Sequence, residues 1–250
     1  KERPIGEMIL ELEDLTKERQ FKNVDMTLKK GEIIGVTGLL GDGRSELFMS
    51  VVGANSPFKG TVKVNGQAVK IKNTTQAMKN NITYVPKNRK ENGIISDLSI
   101  KENMILPIMN SLDQYGILNS KAIQEHNQRY INELFIKVSD TKNLITSLSG
   151  GNQQKVVLAK ALGSQPEIVI LDNPTQGVDV GAKLEIYSLI MKLAAEGISF
   201  IILSSEYPEL YNLCDRVYVM FHGEVKHEFR REDLNEEDIM LIATGGSVHE

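Results

Sequence analysis

The stretch Ile145–Lys183 reads ITSLSGGNQQKVVLAKALGSQPEIVILDNPTQGVDVGAK, and it decides how the rest of the chain is read. Ser149 stands before Gly150, Gly151 and Asn152. Val156, Val157, Ala159, Ala161 and Leu162 then recur at roughly helical spacing. Serine is a favoured helix N-cap, and two glycines at a helix start leave backbone N–H groups free to face an anion. The helix dipole adds partial positive charge at the same end. Ile168–Leu171 is a continuous apolar run, the pattern of a parallel strand covered on both faces. Asp172 closes that strand, a position from which a carboxylate reaches a metal ion.

Upstream, the short apolar run Ile33–Val36 leads into GLLGDGRSE, comprising Gly38, Leu39, Leu40, Gly41, Asp42, Gly43, Arg44, Ser45 and Glu46. A helix carrying Leu47, Phe48, Val51 and Val52 follows. Strand, glycine-rich loop and helix are the context of a phosphate loop, here in the form G-x-x-x-x-G-[KR]-S. The glycines let backbone amides close around phosphate oxygens, and the Ser45 hydroxyl is placed to ligate Mg²⁺. Arg44 keeps the positive charge of the usual lysine but offers a wide planar fork instead of a point charge. Asp42 puts a carboxylate near the expected phosphates, which should weaken their binding.

The remaining segments fit around these two. Met8–Leu12 and Val24–Leu28 alternate apolar and polar residues, as in an antiparallel sheet. Gly60–Val69 reads as a hairpin turning at Asn65-Gly66. A short helix through Met78 precedes a strand at Ile82–Val85, and Lys87, Arg89 and Lys90 follow as either a solvated basic loop or a partner contact. Residues 98–145 carry helical patterns, for example Ile131, Leu134, Phe135 and Val138, and His126 in its polar run is expected to be exposed. Gly181–Ala195 reads as a helix ending at Gly197, before a strand at Ile198–Leu203. Arg216–Phe221 and Glu224–Phe229 form a hairpin around His222-Gly223, an acidic helix spans Glu232–Ile242, and the tail from Thr244 is expected to be disordered.

The composition sets outer bounds. The chain has 250 residues, 41% of them hydrophobic and 25% charged, enough for a sizeable core. Its net charge of -4 carries no electrostatic footprint for nucleic acid. The one cysteine, Cys214, excludes a disulfide framework and is expected to be an inert core thiol in a reducing compartment. No apolar run approaches the roughly 18 residues of a membrane helix, and no signal peptide is evident, so membrane association is expected through a partner. The chain begins at Lys1 and is read as a piece of a longer polypeptide.

In that order and spacing, the loops and strands resemble the ATP-binding cassette family: signature motif, Walker B strand and D-loop in Ile145–Lys183, with the phosphate loop about a hundred residues upstream. The resemblance implies an α/β P-loop NTPase cassette. It would have a mixed central sheet, an N-terminal antiparallel β subdomain and a helical subdomain. The RecA-like core is expected over about 5–86 and 160–228, the helical subdomain over about 95–150, and the C-terminal helix and tail over 230–250. It implies ATP and Mg²⁺ as cofactors, with Ser45 and Asp172 on the metal. Leu148, Ser149, Gly150, Gly151, Asn152 and Gln153 would reach a partner's ATP, and Asp179 is the D-loop residue. Many cassettes stack adenine on an aromatic residue near positions 10–20. None occurs there, and the nearest, Phe21, is read first as core.

Against the family pattern four positions differ: Arg44 replaces lysine, Lys87 a metal-contacting glutamine, Asn173 the glutamate that orients the attacking water, and Ser205 a histidine at the γ-phosphate. Together they suggest a site that binds nucleotide and hardly hydrolyses it, while LSGGNQQ is intact. GVTGLLGDGRSEL, PKNRKENGI, LSGGNQQKVVLAKAL, PTQGVDVGAK and SSEYPEL resemble the C-terminal half of bacterial importers for simple sugars of the ribose, galactose and xylose type. PIGEMILEL is similar to the segment joining their two halves. The resemblance implies a peripheral place on the cytoplasmic face of the plasma membrane. Its implied partners are an N-terminal cassette of the same polypeptide, transmembrane permease subunits and, indirectly, a sugar-binding protein. The alternatives are a non-hydrolytic regulatory nucleotide-binding module, or an importer of nucleosides or signalling sugars. DNA-repair ATPases that share the signature insert a long coiled coil between loop and signature, which the hundred-residue spacing and the acidic charge disfavour.

Overall fold

In the computed structural model, which describes residues 3–55, 57–114 and 117–247, the alternating N-terminal segments become β1 (Met8–Lys17) and β2 (Phe21–Lys29). Then come β3 (Ile33–Gly38), α1 (Arg44–Val51), β4 (Lys59–Val64), β5 (Gln67–Val69), α2 (Thr74–Lys79) and β6 (Ile82–Val85). The middle of the chain forms α3 (Ile100–Ile105), β7 (Asp113–Gln114), β8 (Ile117–Leu118), α4 (Ser120–Glu133) and α5 (Gly150–Leu162). It ends with β9 (Ile168–Asp172), α6 (Val180–Ala195), β10 (Ser199–Leu203), α7 (Tyr207–Leu213), β11 (Arg216–Phe221), β12 (Glu224–Arg230) and α8 (Glu236–Ala243).

The chain divides into two units. The first comprises Lys1–Tyr84, Glu167–Asn173 and Ile190–Glu250, the second Val85–Pro166 and Pro174–Leu189. The first holds an antiparallel sheet in the order β2-β1-β4-β5 and a mixed sheet in the order β12-β11-β3-β10-β9-β6. Within the mixed sheet β3, β9, β10 and β11 run parallel, while β12 pairs antiparallel with β11. Every residue of β9 and β10 is buried, which is why Ile168–Leu171 and Phe200–Leu203 read as unbroken apolar runs. Register puts Leu203 of β10 opposite both Val36 of β3 and Asp172 of β9. The phosphate loop and Asp172 thus both lie at the carboxyl ends of parallel strands, where open α/β sheets bind ligands.

The two hairpins expected at Asn65-Gly66 and His222-Gly223 form, with positive φ at all four residues, as a type I′ turn requires. Phe21 is buried in the core with Leu10, Val24, Phe48 and Val62, which decides for packing over stacking. Cys214 is buried against Gly35, and burial pushes its thiol pKa well up, so the inert-thiol expectation holds.

Several expectations need correction. Residues 98–145 are not helical throughout: the 3₁₀ turn Leu106–Ser111 and the β7–β8 hairpin intervene. The helix α4 stops at Glu133 because Phe135 adopts φ +52° and points 70% exposed into solvent, while Leu134 and Ile136 beside it are buried; Val138 lies beyond the helix. His126 is half-buried, stacked obliquely 4.9 Å from the Tyr130 ring. The C-terminal helix begins at Glu236, capped by Asn235, and Arg231–Asp233 form a 3₁₀ turn instead. Of the tail, Thr244, Gly245 and Gly246 bond back to the last turn of α8, while residues 248–250 lie outside the described residues.

Candidate functional site

The phosphate loop belongs to the first unit. Gly43 takes φ +93° at the N-cap of α1, and a side chain there would meet the Gln20 carbonyl at 2.3 Å, so only glycine fits. Leu39, Leu40 and Gly41 are exposed, Leu40 by 93%. Asp42 and Arg44, each only 6% exposed, face one another. Arg44 Nη1 donates to Asp42 Oδ2 at 2.6 Å and to the Gly38 carbonyl at 2.8 Å, and the Arg44 backbone N–H donates to Asp42 Oδ1 at 3.1 Å. Burial raises the Asp42 pKa above the usual carboxylate value, and Arg44 opposes that shift. Asp42 thus does not stand free before a ligand, as the sequence suggested. It is the partner of the loop's only cation.

At the end of β9, Asp172 is buried and accepts three hydrogen bonds. Ser45 Oγ and Tyr84 Oη each donate to Oδ2 at 2.7 Å, and Asn173 Nδ2 donates to Oδ1 at 2.7 Å. Burial first, then the adjacent Asp172, hold the Tyr84 phenol far above its ordinary pKa, so it remains a donor. Among the described residues no three His, Cys, Asp or Glu cluster around a metal position. Ser45 and Asp172 nevertheless fit Mg²⁺, which is held by one or two protein oxygens together with phosphate oxygens and water. Tyr84 escaped the sequence reading. Its only signal was a polar-tipped ring between the strand residues Thr83 and Val85. Asn173 sits at φ +46°, in the left-handed region that asparagine tolerates better than glutamate. Ser205 is exposed just past β10.

The signature belongs to the second unit. Ser149, exposed, caps α5, its Oγ accepting from the Asn152 N–H at 3.4 Å and from Asn152 Nδ2 at 3.0 Å. Asn152 Oδ1 in turn accepts the Lys137 N–H at 2.8 Å. Gly151 is buried, and a Cβ there would lie 2.5 Å from the Ala182 Cβ of α6, so this glycine sets the approach of two helices. Gln153, expected to face a phosphate, is buried, and its Nε2 donates to the Leu148 carbonyl at 3.0 Å, fixing the loop ahead of the helix. Asp179 caps the start of α6, accepting the Ala182 N–H at 2.9 Å.

Arg89 is half-buried and bonds within the chain. It donates from Nη1 to the Gln176 carbonyl at 2.7 Å and from Nη2 to the Gly177 carbonyl at 3.1 Å. The same Nη2 would lie 2.9 Å from a Cβ on Gly150. One guanidinium thus braces the D-loop against the first helical glycine of the signature, and burial lowers its pKa. Lys87 and Lys90 are exposed.

A P-loop-type strand–loop–helix, an acidic strand end and a serine-capped glycine pair define a nucleotide-binding cassette, and comparison with known proteins agrees. The family model of the ABC transporter matches residues 21–176, and the chain belongs to that family. It is 42% identical over 241 residues to a putative ribose/galactose/methyl galactoside import ATP-binding protein of Halalkalibacterium halodurans, covering 96% of this chain and 46% of that protein. It is also 42% identical over 242 residues to the ribose import ATP-binding protein RbsA of Bacillus cereus, covering 97% and 49%. The chain spans about half the length of the curated relatives it matches. Among solved structures, a nucleotide-free cassette from an ABC transporter superposes with TM-score 0.78 at 23% identity, over 89% of this chain and 91% of that one. The ADP conformation of the cassette MJ1267 gives 0.78 at 22%, over 95% of each. Among the described residues no helix is long and apolar enough to cross a membrane.

Proposed function

We propose that this chain is one ATP-binding cassette, over residues 1–250, of an importer for simple sugars of the ribose or galactose type. In this reading it is the second of two cassettes in a polypeptide about twice as long, and its own hydrolytic centre is impaired. The relatives of 42% identity, matched over half their length, support the transport class and the paired arrangement. Lys87 and Asn173 support the impairment, because neither supplies the metal contact or the base that hydrolysis uses, and Arg44 and Ser205 add to it by changing the groups expected at the phosphates. The partners are an N-terminal cassette, permease subunits that place the protein peripherally on the cytoplasmic face of the membrane, and a sugar-binding protein indirectly.

The observation that carries the proposal is the signature loop. Ser149 presents its hydroxyl at the exposed N-terminus of a 13-residue helix whose first amides lack intrahelical partners. That arrangement stabilises negative charge on a phosphate held by another cassette. Gln153 and Arg89 act behind it, holding the Leu148 carbonyl and the D-loop. In the chain's own loop the backbone amides would bind a second nucleotide, with Ser45 and Asp172 holding Mg²⁺, which neutralises phosphate charge when bound.

In the full-length importer, Ser149→Arg abolishes ATPase and sugar uptake, whereas Asn173→Asp changes either by less than about threefold. Normal ATPase with Ser149→Arg overturns the assignment. It would favour the second reading, a regulatory nucleotide-binding module without a share in turnover, which the self-paired Asp42 and Arg44 also support.

A further inference from the structure

The loop Gly38–Glu46 contains one cation, Arg44, and two acids, Asp42 and Glu46. In a phosphate loop the cation is expected to face the ligand. Here its Nη1 is held by two oxygens of the loop itself, Asp42 Oδ2 at 2.6 Å and the Gly38 carbonyl at 2.8 Å. Asp42 also takes the Arg44 backbone N–H, one of the amides at the start of α1 that an anion would use. The carboxylate fits because residue 38 has no side chain: a Cβ on Gly38 would lie 2.2 Å from Asp42 Oδ2. Both side chains are almost fully buried, so water screens the pair weakly and each charge depends on the other.

We propose that Asp42 is a resident counter-ion that pins Arg44 to its own loop, so that the two charges cancel and polyphosphate is held by backbone amides and Mg²⁺ alone. The inference rests on the loop being a nucleotide site, as argued above, and goes beyond it by assigning Asp42 control of affinity. Arg44 is then a structural pin, and removing Asp42 turns it into a phosphate ligand. Removing Arg44 alone unmasks a buried carboxylate that repels phosphate. Removing both charges returns the loop to its starting affinity.

The test is a double-mutant cycle on the full chain, titrated by calorimetry with MgATP and with magnesium tripolyphosphate, which lacks the base. Asp42→Asn keeps the acceptor for the Arg44 N–H and should tighten both ligands about tenfold or more. Arg44→Gln should weaken both by a similar factor, and the double variant should bind within about threefold of wild type. Asp42→Ala serves as a second route should the asparagine perturb the fold, with circular dichroism melts run on every protein. Asp42→Asn and Asp42→Ala both binding no tighter than wild type overturns the counter-ion role and leaves the nucleotide site standing. No binding by any variant of the set up to millimolar ligand overturns the nucleotide site itself, and the counter-ion role with it.

Discussion

Two helix N-termini in this chain have the chemistry to hold an anion, and they are prepared in opposite ways. The start of α1 lies among charges: Asp42, Arg44 and Glu46 crowd within five residues, and the cation is already bonded to an acid of its own loop. The start of α5 is neutral, GGNQQ, capped by the Ser149 hydroxyl and held from behind by uncharged groups and one arginine. The first site answers its own charge. The second offers amides, a hydroxyl and a dipole with no resident anion. The contrast teaches that two glycine-rich loops of similar appearance differ in what they can attract, and that the difference is set by side chains one or two positions from the glycines.

The strongest way to break the comparison is at Gly151. A Val there puts methyl groups into Ala182, forcing α5 and α6 apart at an expected cost of about 3 kcal/mol, read by chemical denaturation. If the chain is a cassette of an importer as proposed, ATPase of the polypeptide that contains it should fall more than about tenfold. Wild-type stability would mean that the contact is not needed. Next is Arg89→Ala, which removes two bonds to the Gln176 and Gly177 carbonyls and should lower stability by about 2 kcal/mol. Arg89→Lys recovers less than half of that, since an ammonium cannot span both carbonyls as the fork does. Full recovery by lysine would show that charge alone matters.

Smaller effects sharpen the other side. Tyr84→Phe takes one of three donors from Asp172 and should cost about 1 kcal/mol in thermal melts. No change would indicate that water replaces the phenol. The smallest effect is at His126, whose pKa burial and Arg129 hold below the ordinary 6.5. Because the folded value lies below the unfolded one, its contribution is complete above about pH 6.5 and is lost as pH falls beneath it. Because the ring is half-exposed to solvent, that loss is the smallest of the set. His126→Gln should flatten the stability curve between neutral and mildly acid pH, and a curve of unchanged slope would place the titration elsewhere.

Much of this architecture is legible in the residues themselves. Apolar runs at Ile33–Val36, Ile168–Leu171 and Ile198–Leu203 mark strands covered on both faces, and Asn65-Gly66 and His222-Gly223 mark the turns of two other strand pairs, β4–β5 and β11–β12, through left-handed dihedrals. Ser149 is legible as a cap because a cap bonds within three residues. What periodicity does not contain is partnership across long distances in sequence. Arg89 finds the Gln176 carbonyl 87 residues on, and Tyr84 finds Asp172 after 88. Neither pairing leaves a trace in spacing. Asp42 and Arg44 are two residues apart, yet their pairing depends on the room left by Gly38, a matter of backbone shape. The helical pattern of Ile131, Leu134, Phe135 and Val138 runs past the end of α4 because backbone shape is again silent in the spacing: Phe135 continues the apolar pattern, and its left-handed backbone stops the helix.

The burial of Cys214 has a practical side. Its sulfur is enclosed beside Gly35, and its pKa is raised, so little thiolate exists to react at neutral pH. With no other cysteine among the 250 residues, the folded chain presents a silent background to maleimides and spin labels. Leu40→Cys or Ser149→Cys would each add one addressable thiol at an exposed position, on the phosphate loop or at the signature cap. A fluorophore at either place could then follow occupancy of one loop at a time, without first stripping the protein of its native sulfur.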